Sequence, residues 1–134
     1  MSAANAQNEV LEETIRLMNE TGAFAKVTRG ALPTGNGITC EISPSMVSHN
    51  FLNKESVIPL EITLNGKHAN LRTVTEAMNK IHLWLTRKRA YPAGIGWQIV
   101  DIRNGMMPEI IGREQNNEWL LASTLTVLYY WKGE

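Results

Sequence analysis

The stretch Leu64–Pro92, LNGKHANLRTVTEAMNKIHLWLTRKRAYP, carries the clearest helical signal in the chain, and the rest is read outward from it. Leu71, Val74, Met78, Ile81 and Leu85 recur at spacings of 3, 4, 3 and 4, which places five apolar side chains on one helical face. Asn70 is positioned to cap the first turn, with Asn65 or His68 as earlier starts. Arg87, Lys88 and Arg89 fall in the predicted last turn, where positive charge complements the helix dipole. Pro92 ends the element, because it has no amide donor and restricts Tyr91 before it. Strand-like runs stand on both sides, so this is expected to be the core helix of a small α+β domain.

Upstream, residues 1–6 are small and polar and are expected to be loose. Residues 8–21 predict a first helix with Leu11, Ile15 and Met18 in its stripe, Val10 and Leu17 beside it, and Gly22 ending it. A short strand is expected over residues 23–29. The stretch GALPTGNG, residues 30–37, is rich in glycine around Pro33 and reads as a loop. Ile38, Cys40 and Ile42 then alternate with polar neighbours, the period of a half-buried strand. Residues 44–56 break that period and read as an excursion or contact surface. Strand alternation returns over residues 57–64, with Pro59 pointing to an edge or a bulge and Asn65-Gly66 turning the chain toward the helix.

Downstream, AGIG at 93–96 reads as a link, and residues 97–103 as a strand. Asn104-Gly105 predicts a hairpin turn, with MMPEIIGRE returning beside that strand, and residues 115–118 read as a polar turn before the next. Residues 119–131 form the last strand. One face carries Leu121, Ser123, Leu125, Val127, Tyr129 and Trp131, the other Leu120, Ala122, Thr124, Thr126, Leu128 and Tyr130. Only one face can meet the helices, and the second is too apolar and aromatic for an ordinary solvated surface, which points to a partner. The expected architecture is a single α+β domain over residues 1–134, a mainly antiparallel sheet flanked by two α-helices.

Composition narrows function. At 134 residues the chain is long enough for one core without staples. Thirteen basic and thirteen acidic side chains cancel, so no global field draws it to nucleic acid or to a membrane surface. No run reaches the roughly 18 apolar residues of a membrane span, and the N-terminus lacks the pattern of a secretory leader, so assembly in the cytoplasm is expected. The lone Cys40 excludes an intramolecular disulfide and, at an inward strand position, reads as a structural thiol. His49, His68 and His82 show no metal-ligand spacing, and His82, beside the helix stripe, reads as a hydrogen-bonded core histidine. The GNG at 35–37 lacks the Lys-Ser/Thr of a phosphate loop, and no carboxylate pair sets up acid/base chemistry. No catalytic, metal or cofactor site is expected.

What remains is interaction surface. Arg87-Lys88-Arg89 is the one dense basic cluster, flanked by Trp84 and Tyr91, and reads either as a capped helix end or as a contact to an acidic protein surface. Aromatic residues and arginine dominate interface energetics but also fill ordinary cores. The terminal Tyr129-Tyr130-Trp131 favours an interface. The candidate contact residues are therefore Trp84, Arg87, Lys88, Arg89, Tyr91, Leu128, Tyr130 and Trp131.

Three stretches, IPLEITLNGKHANLRTVTEAMNKI, WQIVDIRNGMMPEIIGRE and NNEWLLASTLTVLYYW, together resemble the tail terminator or tail-completion proteins of tailed phages and related particles. The resemblance covers about residues 57–131 and rests on element order and general sequence character. It implies a sheet flanked by helices, a homo-hexameric ring at the head-proximal end of the tail tube, and partners among the tube, neck or connector, and sheath proteins. It implies a virion or particle component with no enzyme activity and no cofactor. The competing expectation is a small homodimeric binding or adaptor module using the same apolar strand face.

Overall fold

The computed structural model describes residues 2–43, 56–114 and 116–132. Its elements run α1 (Ala3–Asn19), β1 (Val27–Arg29), β2 (Gly37–Ile42), β3 (Ser56–His68), α2 (Leu71–Thr86), β4 (Ala93–Gly94), β5 (Trp97–Asn104), β6 (Glu109–Arg113) and β7 (Trp119–Trp131). The seven strands form one curled sheet in the order β1-β2-β3-β7-β5-β4, with β6 also paired to β7. Only β1–β2 is parallel. This is an α+β fold, as the sequence predicts.

Both helices close over one face of the sheet. In register across β2, β3 and β7 that face carries Ile38, Gly66 and Leu121; Cys40, Leu64 and Ser123; and Ile42, Ile62 and Leu125. Toward the other end it continues through Leu60, Val127 and Ile102, then Ile58, Tyr129 and Ile99. Val74, Met78, Ile81 and Leu85 of α2 and Val10, Leu11, Leu17 and Met18 of α1 are buried against these in one cluster. Helix α2 keeps the predicted stripe and start, with the Asn70 side chain accepting from the Thr73 N–H at 3.2 Å. At Gly66 a Cβ would lie 2.6 Å from Met78 Sδ and 2.8 Å from Val74 Cγ2, so this glycine lets α2 sit close on β3.

Several expectations change. Helix α1 begins at Ala3, because Ser2 caps it by accepting from the Asn5 N–H at 3.2 Å, so the tract expected to be loose is largely helical. Its far end is tied by Asn19, which exchanges two hydrogen bonds with the Val27 backbone, and the strand there is three residues long. Asn65-Gly66 is no turn. Strand β3 runs on to His68, since β2 and β7 both continue to pair with it. β3 is also an inner strand, although Pro59 lies beyond its last described pairing with β2, Ile42↔Ile62. The expected excursion over residues 44–56 falls almost wholly outside the described residues.

The largest correction concerns Asn104-Gly105. β6 does not fold back on β5; the two lie end to end along the same side of β7. Thr124 of β7 spans the break: its N–H donates to the Met106 carbonyl at 2.8 Å and its carbonyl accepts from Gly105 at 3.0 Å. A Cβ on Gly105 would sit 2.3 Å from Thr124 Oγ1, so that glycine serves close approach rather than a hairpin. The true hairpin joins β6 to β7, with Asn117 at φ 66 in the left-handed region that asparagine tolerates. AGIG also enters the sheet, as β4 turning into β5.

Candidate assembly interface

Three exposed environments stand out, and the contact residues predicted from sequence fall in the first two, apart from Trp131. The first is the outer end of α2. With Val74, Met78, Ile81 and Leu85 turned inward, the helical period turns Lys80, Leu83, Trp84 and Arg87 toward solvent. Trp84 is 44% exposed yet held in place. Its indole N–H donates to Glu20 at the end of α1 at 3.2 Å, and Lys88 Nζ lies 4.2 Å above the ring and 3.6 Å from the same carboxylate. Leu83, Trp84, Arg87, Lys88 and Arg89 line one open groove of about 460 Å³. Arg87 is the C-cap and Lys88 and Arg89 lie beyond the helix, so the basic cluster follows the last turn rather than occupying it. Tyr91 folds back beneath, its hydroxyl donating to the Leu85 carbonyl at 2.6 Å.

Leu128 and Tyr130 belong to the second environment, the sheet face away from the helices. There Val57, Tyr130 and Gln98 are in register, next to Pro59, Leu128 and Asp101. Both residues are half-buried, and Val57 beside them is exposed. The middle of this face is polar, with Thr63, Thr124 and Thr126, and its far end is covered where Lys67 donates to the Pro33 carbonyl at 2.8 Å. Trp131 is in neither place. It lies on the helix face in register with Trp97, 6% exposed, and is a core residue.

Sequence reasoning missed the third environment, the outer edge of β5 and β6. Two bulges interrupt their pairing with β7, one at Val100 and one at Ile111, and both bulged side chains are exposed. Met106, Met107 and Ile110 extend the same edge. β4 covers β5 only at Trp97 and Gln98, leaving the remainder without a strand partner among the described residues. The signal was available in the doublets Met106-Met107 and Ile110-Ile111, because adjacent residues on a strand cannot both face one core. Ile95 was also missed. It stands 85% exposed at the β4–β5 turn, next to Glu9, Glu12 and Glu13 of α1.

One polar group inside the protein has the connectivity of a catalytic triad. His82 Nε2 lies 2.8 Å from Ser123 Oγ, and its Nδ1 lies 2.8 Å from Asn104 Oδ1. The asparagine oxygen only accepts, so Nδ1 carries the proton and Nε2 accepts from the serine hydroxyl. A nucleophile must reach substrate, however, and both His82 and Ser123 have no exposed surface. Burial holds the imidazole below its ordinary pKa, partly opposed by the bond to Asn104. The group therefore fastens α2 to β5 and β7. Cys40 is likewise enclosed, and burial pushes its thiol up to about 12, which leaves it protonated and inert. His68 uses Nδ1 to accept from the Asn70 N–H, and His49 lies outside the described residues. Among the described residues no group of three or more His, Cys, Asp or Glu is placed to hold a metal ion, and no helix is long and apolar enough to cross a membrane.

No model of a known protein family matches the chain, and comparison with curated proteins finds no significant match.

Proposed function

We propose that this chain is a structural subunit of a phage or phage-derived tail. In this reading it forms a six-membered ring at the head-proximal end of the tail tube, ends tube growth and presents a surface to neck, head or sheath proteins. The hexamer and its neighbours come from the sequence resemblance. The observation that supports an assembly role is the distribution of exposed apolar side chains. Leu83 and Trp84 stand on α2, while Val100, Met106, Met107, Ile110 and Ile111 follow one sheet edge. A cyclic ring needs two different patches on each subunit that match each other, whereas a two-fold dimer needs one self-complementary patch. A ring subunit that also docks on a tube needs a further surface, and the sheet face beside exposed Val57 and half-buried Leu128 is the candidate for it.

Among the described residues, the triad-like pair His82 and Ser123 is enclosed and offers no reactive oxygen to solvent. Native mass measurement with negative-stain electron microscopy tests the reading. Annular particles of six copies are expected. A stable particle of two copies would overturn it in favour of a dimeric adaptor.

A further inference from the structure

Two neighbouring surfaces of this domain are opposite in charge, one an apolar groove and the other an apolar projection. The first is the groove at the end of α2, apolar along Leu83 and Trp84 and bordered by Lys80, Arg87 and Arg89. None of these three cations makes an ion pair among the described residues. Lys88 is occupied differently, by Glu20 and the Trp84 ring, and serves to hold the groove wall. The groove is therefore a preformed apolar slot with uncompensated positive charge on its rim.

The second surface lies on the other side of the link 90–93 and has the opposite character. Ile95 projects from the β4–β5 turn with 85% of its surface exposed. The turn is fixed. Trp97 lies against Gly94, where a Cβ would come within 2.3 Å of the indole, and its N–H donates to Glu9 at 2.9 Å. Beside Ile95 stand Glu9, Glu12 and Glu13; Glu13 is paired with Arg16 at 2.9 Å, while Glu9 and Glu12 make no ion pair among the described residues. A rigid apolar projection with a negative surround thus accompanies a rigid apolar slot with a positive rim. In the folded chain Ile95 does not occupy its own groove: it is absent from the groove's lining and stands exposed.

We propose that copies of this chain associate head to tail, with Ile95 of one seated in the groove beside Leu83 and Trp84 of the next, and with Glu9 and Glu12 facing Lys80, Arg87 and Arg89. This deepens the ring-subunit reading by naming the contact that closes the ring. Apolar burial supplies affinity, and the opposed charges set orientation and speed encounter. Added salt weakens the contact, because the charges are exposed on both surfaces.

Sedimentation or native mass measurement of two variants and their mixture tests the proposal. Ile95→Asp removes the projection, and Leu83→Asp with Arg89→Glu spoils the groove. All three positions are exposed, so circular dichroism should be unchanged. Each variant alone is expected to lose association by about tenfold or more, from the apolar area no longer buried. Mixed in equal amounts, the variants should form pairs and nothing larger, since each keeps one intact surface. A wild-type protein that stays monomeric at its highest soluble concentration overturns the proposal, as does a mixture that forms no pairs. Variants that retain six-copy rings overturn this contact while leaving the ring-subunit reading in place.

Discussion

Replacing His82 with leucine tests the buried polar link most sharply. The imidazole makes two hydrogen bonds of 2.8 Å with unequal consequences when lost. Asn104 is exposed, so water takes over its oxygen and only the net worth of a hydrogen bond is forfeited, about 1 kcal/mol. Ser123 has no exposed surface, so its hydroxyl becomes an orphan at a cost of roughly 1–3 kcal/mol. His82→Leu should therefore lower unfolding free energy by about 2–4 kcal/mol. Adding Ser123→Ala removes the orphan, so the double variant should be more stable than the sum of the single losses by about 1–2 kcal/mol. The pH dependence has a definite sign. Burial lowers the folded-state pKa of His82, so below the ordinary value of about 6.5 the unfolded chain takes up the proton first. The contribution of neutral His82 is complete above that pH and declines as pH falls through it toward the folded-state value. Urea titrations of the wild type and three variants between pH 5 and 8 measure both effects. Additive losses, or equal pH slopes in wild type and His82→Leu, would refute the reasoning.

Three further outcomes follow from the packing. Gly66→Ala should destabilise by about 1–3 kcal/mol, because the new methyl meets Val74 Cγ2 at 2.8 Å and Val74 cannot swing away as Met78 can; the shift is read from the thermal midpoint. Tyr129→Phe should raise stability by about 1 kcal/mol in urea, since the hydroxyl is enclosed with no hydrogen-bond partner among the described residues and burial lifts its pKa to about 12; a loss would reveal a partner. Leu128→Asp with Tyr130→Asp should leave the solution mass unchanged while reducing incorporation into tail particles, measured by quantitative blotting of purified particles. Loss of self-association instead would move the contact between copies onto that sheet face.

Much of the fold was legible because local and tertiary signals agreed. The α2 stripe and its Asn70 cap survive unchanged, as do the bounds of β7, whose burial alternates from Ser123 to Trp131. The failures share a cause. Asn65-Gly66 and Asn104-Gly105 carry strong turn propensity, yet in neither place does the glycine make a turn; each instead admits a neighbour that its missing side chain would block. Dipeptide signals report what a segment prefers alone, and close approach across the sheet overrides them. The link from His82 to Asn104 and Ser123 was invisible because its members lie 22 and 41 residues apart. Of the candidate contacts, the helix-end residues do gather in one groove. Trp131 did not stay at the surface, since its strand parity places it under the helices with Tyr129. Ile95 escaped notice because one apolar residue between glycines carries no period.

The ring-subunit account is tested most directly by the tails that form without this protein. Removing its gene from the cell that makes the particle, and measuring tail-tube lengths by electron microscopy, should give tubes of uncontrolled length that fail to join heads or collars. Particles with tubes of normal, uniform length and normal attachment would contradict it.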